Sequence, residues 1–171
     1  MARLTWDTFP KSGSAWLART LDLCFPDHEI VWGGHRSTTF AESHNCVTVV
    51  RHPRQAAASA MCFFGYDDPA AVLDWYCRFM KRTKQYRHRV YVSRFEDLTT
   101  DPVREMREYA VMFDLPAPKV VTCDHITAAV KVTHAAHLPS KITSQREKAQ
   151  SMVDDCARLS DAVAIYEQVT K

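Results

Sequence analysis

Lys11, Ser12, Gly13 and Ser14 stand together in "LTWDTFPKSGSAWLARTL", residues 4 to 21, between a short apolar run and an amphipathic one. Residues of these types in this order can hold an anion. Glycine lets the backbone approach a ligand closely, and the first amides of a following helix lack intrahelical partners and carry the positive end of its dipole. Lys11 adds a mobile charge, and Ser12 and Ser14 add hydroxyl donors. The stretch nevertheless fails the kinase-type pattern G-x-x-x-x-G-K-[ST], in which lysine follows the last glycine and a magnesium-binding hydroxyl comes next. Here Lys11 precedes Gly13 and the first glycine is absent, which weakens a nucleoside-triphosphate reading.

A second set of the same kind lies in "VVRHPRQAAASAMCFF". Arg51 ends an apolar strand, and Ser59 falls two turns into the helix that follows. A guanidinium can fork two hydrogen bonds onto a phosphate, and a serine hydroxyl can add a third. Two anion sites at the ends of two strands imply a ligand with phosphates at both ends.

The elements that must position these residues alternate along the chain. Residues 4–9 suggest a strand and residues 13–24 a helix with Trp16, Leu17, Leu21 and Leu23 as its apolar positions. "EIVWGG" reads as a short strand, and "NCVTVVR", 45–51, as a strand buried on both faces. Pro53 opens a helix through "RQAAASAMCFF". "DDPAAVLDWYCRFMKRTKQY" is a second, capped by Asp67 or Asp68. "RVYVSRF" is a strand by its β-branched and aromatic content, Asp101-Pro102 begins a helix that ends before "DLPAP", and the chain from Ser140 onward, after the loop "HLPSK", reads as mainly helical. Repeated strand-then-helix order predicts an α/β fold with a central parallel sheet and helices on both faces. Such sheets bind ligands at the carboxyl ends of their strands.

Composition narrows the function classes. A chain of 171 residues, 46% hydrophobic, suits one domain spanning 1–171. A formal charge of +2 announces no broad nucleic-acid or membrane footprint, and the basic run "RFMKRTKQYRHR" reads as the solvated end of a helix. No apolar run approaches a membrane span. The six cysteines lack the close spacing of a zinc or redox pair, so they are expected to be reduced core residues of a cytoplasmic protein. "HAAH" (His134 and His137) with Cys123 and His125 has no recognisable ligand spacing, and no metal is expected.

Three stretches together resemble the sulfotransferases that use 3′-phosphoadenosine 5′-phosphosulfate (PAPS). "TFPKSGSAWL" is similar to that family's 5′-phosphosulfate loop, T-[YF]-P-K-[SA]-G-[ST]-[TS]-W-[LM]. "VVRHPRQAAASAMCFF" resembles its 3′-phosphate motif, and "SRFEDLTTDPVREMREYAVMFDLP" its "YEDL…DP" segment. All three occur in the family's order, from residue 4 to about residue 116. The resemblance implies a P-loop-type three-layer fold and transfer of a sulfuryl group to a hydroxyl or amine by in-line displacement, with PAP as product. It implies that Lys11 stabilises the leaving phosphate, that Ser12, Gly13, Ser14 and Ala15 wrap the 5′-phosphate, that Trp16 and Phe95 lie near the adenine, and that Arg51 and Ser59 hold the 3′-phosphate. Ala15 stands where the family prefers a hydroxyl, and Phe95 where many members carry tyrosine. Glu96 and Asp97 are expected to fix the turn after a strand and cap the next helix. Ser140 and Lys141 fall where relatives close a basic loop over the nucleotide.

The acceptor's proton needs a base, which many relatives supply from a histidine between the two phosphate motifs. "VWGGHRSTTF" offers His35, and His44 competes with it; imidazole suits the task because its ordinary pKa lies near neutral pH. Only about two dozen residues separate Lys11 from His35, little material for a deep pocket. The expectation is an open acceptor site for a small molecule, glycan or peptide, or one completed by a second subunit of a homo-oligomer or by the acceptor itself. The competing function classes are a P-loop kinase of a nucleotide or small molecule and a catalytically idle PAPS-binding module.

Overall fold

A computed structural model describes residues 3–134 and 142–171, without the side chains of 131–134 and 142–143. His137, Ser140 and Lys141, and the side chain of His134, lie outside the described residues.

Among the described residues four short strands build the sheet: β1 (Arg3–Trp6), β2 (Glu29–Trp32), β3 (Cys46–Val50) and β4 (Val90–Arg94). Their order is β2-β1-β3-β4, and every neighbouring pair is parallel. β3 is buried along its whole length, as its unbroken apolar sequence requires of a strand covered on both faces. Alternate residues divide between two cores. Val47 and Val49 join Leu4 and Trp6 in one, and Cys46 and Val50 point into the other.

Helices fill both outer layers. Against the Val47 face pack α1 (Ser14–Cys24), through Leu17 and Leu21, and α6 (Pro102–Met112), through Met106 and Tyr109. Against the Val50 face pack α3 (Pro53–Phe64), α4 (Pro69–Gln85), α8 (Ile142–Asp154) and α9 (Arg158–Thr170). Short helices α2 (Thr39–Glu42) and α5 (Phe95–Thr100) fill the connections, and α7 (Cys123–His134) packs on α1. The architecture is the α/β fold that the strand-then-helix order predicts, a central parallel sheet with helices on both faces.

Local chemistry sets the helix starts. Asp68 caps α4 by accepting from the amides of Ala70 and Ala71, and Asp101 caps α6 by accepting from that of Arg104. In both cases proline occupies the first turn, where its missing N–H removes nothing. The expectation for Glu96 and Asp97 is corrected: both lie inside α5, and the cap of α6 is Asp101. Strand ends are also shorter than expected, because β1 stops at Trp6 and residues 7–9 already belong to the anion loop.

The basic run behaves as a solvated helix face. Lys81, Arg82 and Lys84 are exposed while Phe79, Met80 and Thr83 are buried. This end of α4 leads into the amino end of β4, opposite the carboxyl ends of the strands. All six cysteines are free thiols; Cys24 and Cys46 are buried and the other four are half-buried, so only two are true core residues. Among the described residues no helix is long and apolar enough to cross a membrane.

Candidate active site

From β1 the chain moves outward to β2 and then back across to β3. The order therefore reverses between β1 and β3, which opens a crevice at their carboxyl ends. The loop after β1 and the residues after β3 both emerge there, so the two segments expected from sequence to hold anions become neighbours.

The first segment is a tight turn. Lys11 is left-handed at φ 62, Gly13 has φ 109, and Gly13 is the N-terminal cap residue of α1 without a capping side chain. The helix amides are thus left for a ligand. Gly13 is required twice over: its backbone conformation disfavours a side chain, and a Cβ there would sit 2.5 Å from Cδ2 of Phe95. The hydroxyls of Thr8 and Ser14 are 2.6 Å apart. The Ser12 hydroxyl is buried with no hydrogen-bond partner among the described residues, an unmet polar group at the site.

Arg51 is held from several sides. Its Nε donates to Gln55 Oε1 at 3.0 Å, Nη1 donates to the carbonyl of Lys11 at 3.4 Å, and its guanidinium lies over the Phe95 ring, 4.8 Å from the centroid. The buried Tyr76 hydroxyl donates to the Arg51 carbonyl at 2.8 Å. Lys11 Nζ rests 4.0 Å from the centre of the Phe63 ring. Burial lowers the pKa of Lys11, and the charges of Arg146 and Arg51 lower it further; Arg51 is lowered by burial and then by Arg146. Three cations therefore crowd one crevice, an arrangement that an anion would relieve.

Arg146, on an exposed face of α8, was not among the residues expected from sequence. "SQREKAQ" reads as an ordinary polar helix, and only the packing of α8 on α3 brings Arg146 to the loop. Ser59 is half-buried on the second turn of α3. Trp16 is half-buried and packs against the Val47-side core, while Ala15 is half-buried on the first turn of α1.

The two histidines part company. His44 precedes β3, at the amino end of the sheet, where Arg89 Nη2 donates to its Nδ1 at 3.0 Å. His35 follows β2 at the carboxyl end, on the same side as the anion loop, and its Nδ1 is 2.6 Å from the Thr8 carbonyl. A carbonyl only accepts, so Nδ1 carries a proton, and in the neutral form of the ring the lone pair lies at Nε2. The exposed Trp32 ring lies edge-on to His35, 5.1 Å between centroids, and stacks on Trp6.

Asp7 was missed as well. It is fully buried, and burial pushes its carboxyl above the usual range, while hydrogen bonds from the amides of Ser37, His35 and Thr8 pull it back. An acidic residue in an otherwise apolar strand end, "TWDTF", was the available signal. Of the candidate metal residues, Cys123 lies against the carbonyls of Thr99 and Thr100, and among the described residues no group of three metal-ligating side chains gathers.

No protein-family model matches the chain, and no curated protein sequence does. Among solved structures, the crystal structure of mouse sulfotransferase SULT7A1 complexed with PAP is similar in fold, with a TM-score of 0.54 and 12% sequence identity. The likeness covers 98% of this chain and 82% of that one. It defines the class of fold, a central parallel sheet flanked by helices.

Proposed function

We propose that the protein is a sulfotransferase that takes a sulfuryl group from PAPS and passes it to a hydroxyl or amine of a small-molecule, glycan or peptide acceptor. The observation that carries this reading is the junction in the β1/β3 crevice, where Arg51 donates to the carbonyl of Lys11. It makes one surface of two anion-holding segments. A fold shared with a PAP-bound sulfotransferase supports the same reading.

The residues present fit a nucleotide with phosphates at both ends. Gly13 leaves room for close approach, the amides of α1 are uncapped, and the Ser12 hydroxyl lacks a partner. Lys11, Ser12, Gly13, Ser14 and Ala15 would hold the 5′ end, and Arg51 and Ser59 the 3′-phosphate, with Trp16 and Phe95 near the adenine. Arg146 adds positive potential to both ends. When bound, PAPS supplies the activated sulfuryl group. Lys11 stabilises negative charge on the departing phosphate, which is worth most in a partly dehydrated crevice. His35 accepts the acceptor's proton at Nε2, the nitrogen left free by the bond from Nδ1 to Thr8.

The test pairs binding with transfer. Calorimetry should find PAP binding and no comparable binding of ATP with magnesium; the reverse result overturns the reading. Transfer of radiolabelled sulfate from PAPS to a panel of phenols, sugars, amines and peptides should be lost in both Lys11→Ala and His35→Ala. Transfer that survives both substitutions would remove these residues from the mechanism.

A further inference from the structure

Beside the crevice, the carboxylate of Asp7 gathers a whole loop. Oδ1 accepts from the amides of Thr8 and His35, each at 2.8 Å, and Oδ2 accepts from the amide of Ser37 at 2.8 Å and the Thr39 hydroxyl at 3.4 Å. Two of these residues, His35 at φ 63 and Ser37 at φ 54, hold left-handed backbone conformations that non-glycine residues adopt only under constraint. Gly33 provides the room, since a Cβ there would stand 2.7 Å from Asp7 Oδ2 and 2.2 Å from Thr39 Oγ1. The loop that carries His35 is thus wound around one buried anion at the end of β1.

Thr8 extends the connection in the other direction. Its amide donates to Asp7, its carbonyl accepts from His35 Nδ1, and its hydroxyl pairs with that of Ser14 on the first turn of α1. Thr8 therefore links the imidazole, bonded to its carbonyl, to the helix N-terminus, bonded to its hydroxyl.

We propose that Asp7 is a positioning residue: its buried carboxylate fixes the 33–39 loop so that His35 keeps its proton on Nδ1 and its lone pair on Nε2, in register with the anion loop through Thr8. The inference rests on the reading of His35 as the base. Asp7 touches neither donor nor acceptor, and it acts by holding four donors that no neutral side chain of its size can accept together. In Asp7→Asn the amide nitrogen would face either the Ser37 amide or the pair from Thr8 and His35, donor against donor.

The experiment begins with the intact protein and needs no substrate. Nitrogen-15 correlation spectra of neutral His35 should show the Nδ1–H tautomer, and the amides of His35 and Ser37 should exchange slowly with deuterium. A dominant Nε2–H tautomer, or fast exchange at both amides, overturns the proposal. In Asp7→Asn, kcat should fall on the order of 100-fold, the usual consequence of a misplaced catalytic group, while PAP affinity stays within about 3-fold, a small part of the loss in kcat, and the tautomer shifts toward Nε2–H. Unchanged kcat, or equal losses of kcat and PAP affinity, would overturn it. Should Asp7→Asn not fold, Thr39→Val decides, because it removes the longest of the four bonds; faster exchange of the Ser37 amide with reduced kcat supports the role, and unchanged values refute it. If the wild-type protein transfers no sulfuryl group, the proposed function fails, whereas the tautomer and the exchange rates still decide the place of Asp7.

Discussion

Gly13→Ala is the most informative single perturbation of the anion loop, because one methyl group meets two separate obstacles. The first is the backbone: at φ 109 an L side chain is strained, by about 1–2 kcal/mol for a left-handed residue. The second is space, since the new Cβ would lie 2.5 Å from Cδ2 and 2.9 Å from Cε2 of Phe95. Overpacking of that kind costs about 1–3 kcal/mol, so the expected loss is about 2–5 kcal/mol, against a total stability of about 5–15 kcal/mol for a domain. The Phe95 ring also carries the Arg51 guanidinium, so displacing it should weaken PAP binding as well. Urea unfolding of the wild type, Gly13→Ala, Phe95→Ala and the double variant separates the two obstacles. Removing the ring relieves the steric part and leaves the backbone part, giving a coupling of about 1–3 kcal/mol. Additivity within about 0.5 kcal/mol would refute the reasoning, because the methyl group and the ring would then not compete for the same space.

Three further outcomes follow from the same contacts. Tyr76→Phe should cost about 1 kcal/mol in urea unfolding, since it leaves the Arg51 carbonyl without its donor; an unchanged midpoint would mean that another donor replaces it. Asp68→Ala should cost about 1 kcal/mol through loss of the α4 cap while leaving PAP affinity unaltered, and altered affinity would connect α4 to the site in a way its position does not. Lys11 sits below the ordinary lysine range of about 10.4 in the free protein, and a bound phosphate should raise it again. PAP binding at alkaline pH should therefore take up a proton, seen as an enthalpy that changes with the buffer, and affinity should fall as pH rises through the lowered value. Because the folded state binds this proton more weakly than the unfolded chain, the free protein's stability should rise with pH from the folded value to the unfolded one. Enthalpies independent of buffer across that window would remove Lys11 from the phosphate site.

Much of this architecture was legible because local chemistry and packing agree. Asp-Pro pairs at 68–69 and 101–102 cap and open helices, "CVTVV" can only be a strand covered on both sides, and "PKSG" must bend sharply before a helix. The short helix α5 was not legible. "FEDLTT" carries turn-forming polar residues, and what makes it helical is the burial of Leu98 in the Val47-side core, a long-range fact. Asp7 and Arg146 escaped for a related reason. The role of Asp7 depends on amides of the 35–37 segment, and that of Arg146 on where a polar helix packs after the whole sheet has formed. His35 and His44 could both be named as candidate bases from the resemblance, but which of them lies at the carboxyl ends of the strands, and which ring nitrogen faces the Thr8 carbonyl, follow only from the structure.

The all-parallel sheet has a consequence for how the chain reaches this state. Leu4 pairs with Ile30, Trp6 with both Trp32 and Val47, and Val47 in turn with Tyr91, so among the described residues no strand pairs through a local hairpin. Every ladder closes a loop that contains at least one helix, and such non-local pairing slows folding. β1 is synthesised first yet lies inside the sheet, between two partners made later. Until β3 emerges, β1 keeps one edge open, and during synthesis its apolar residues remain available to other nascent chains.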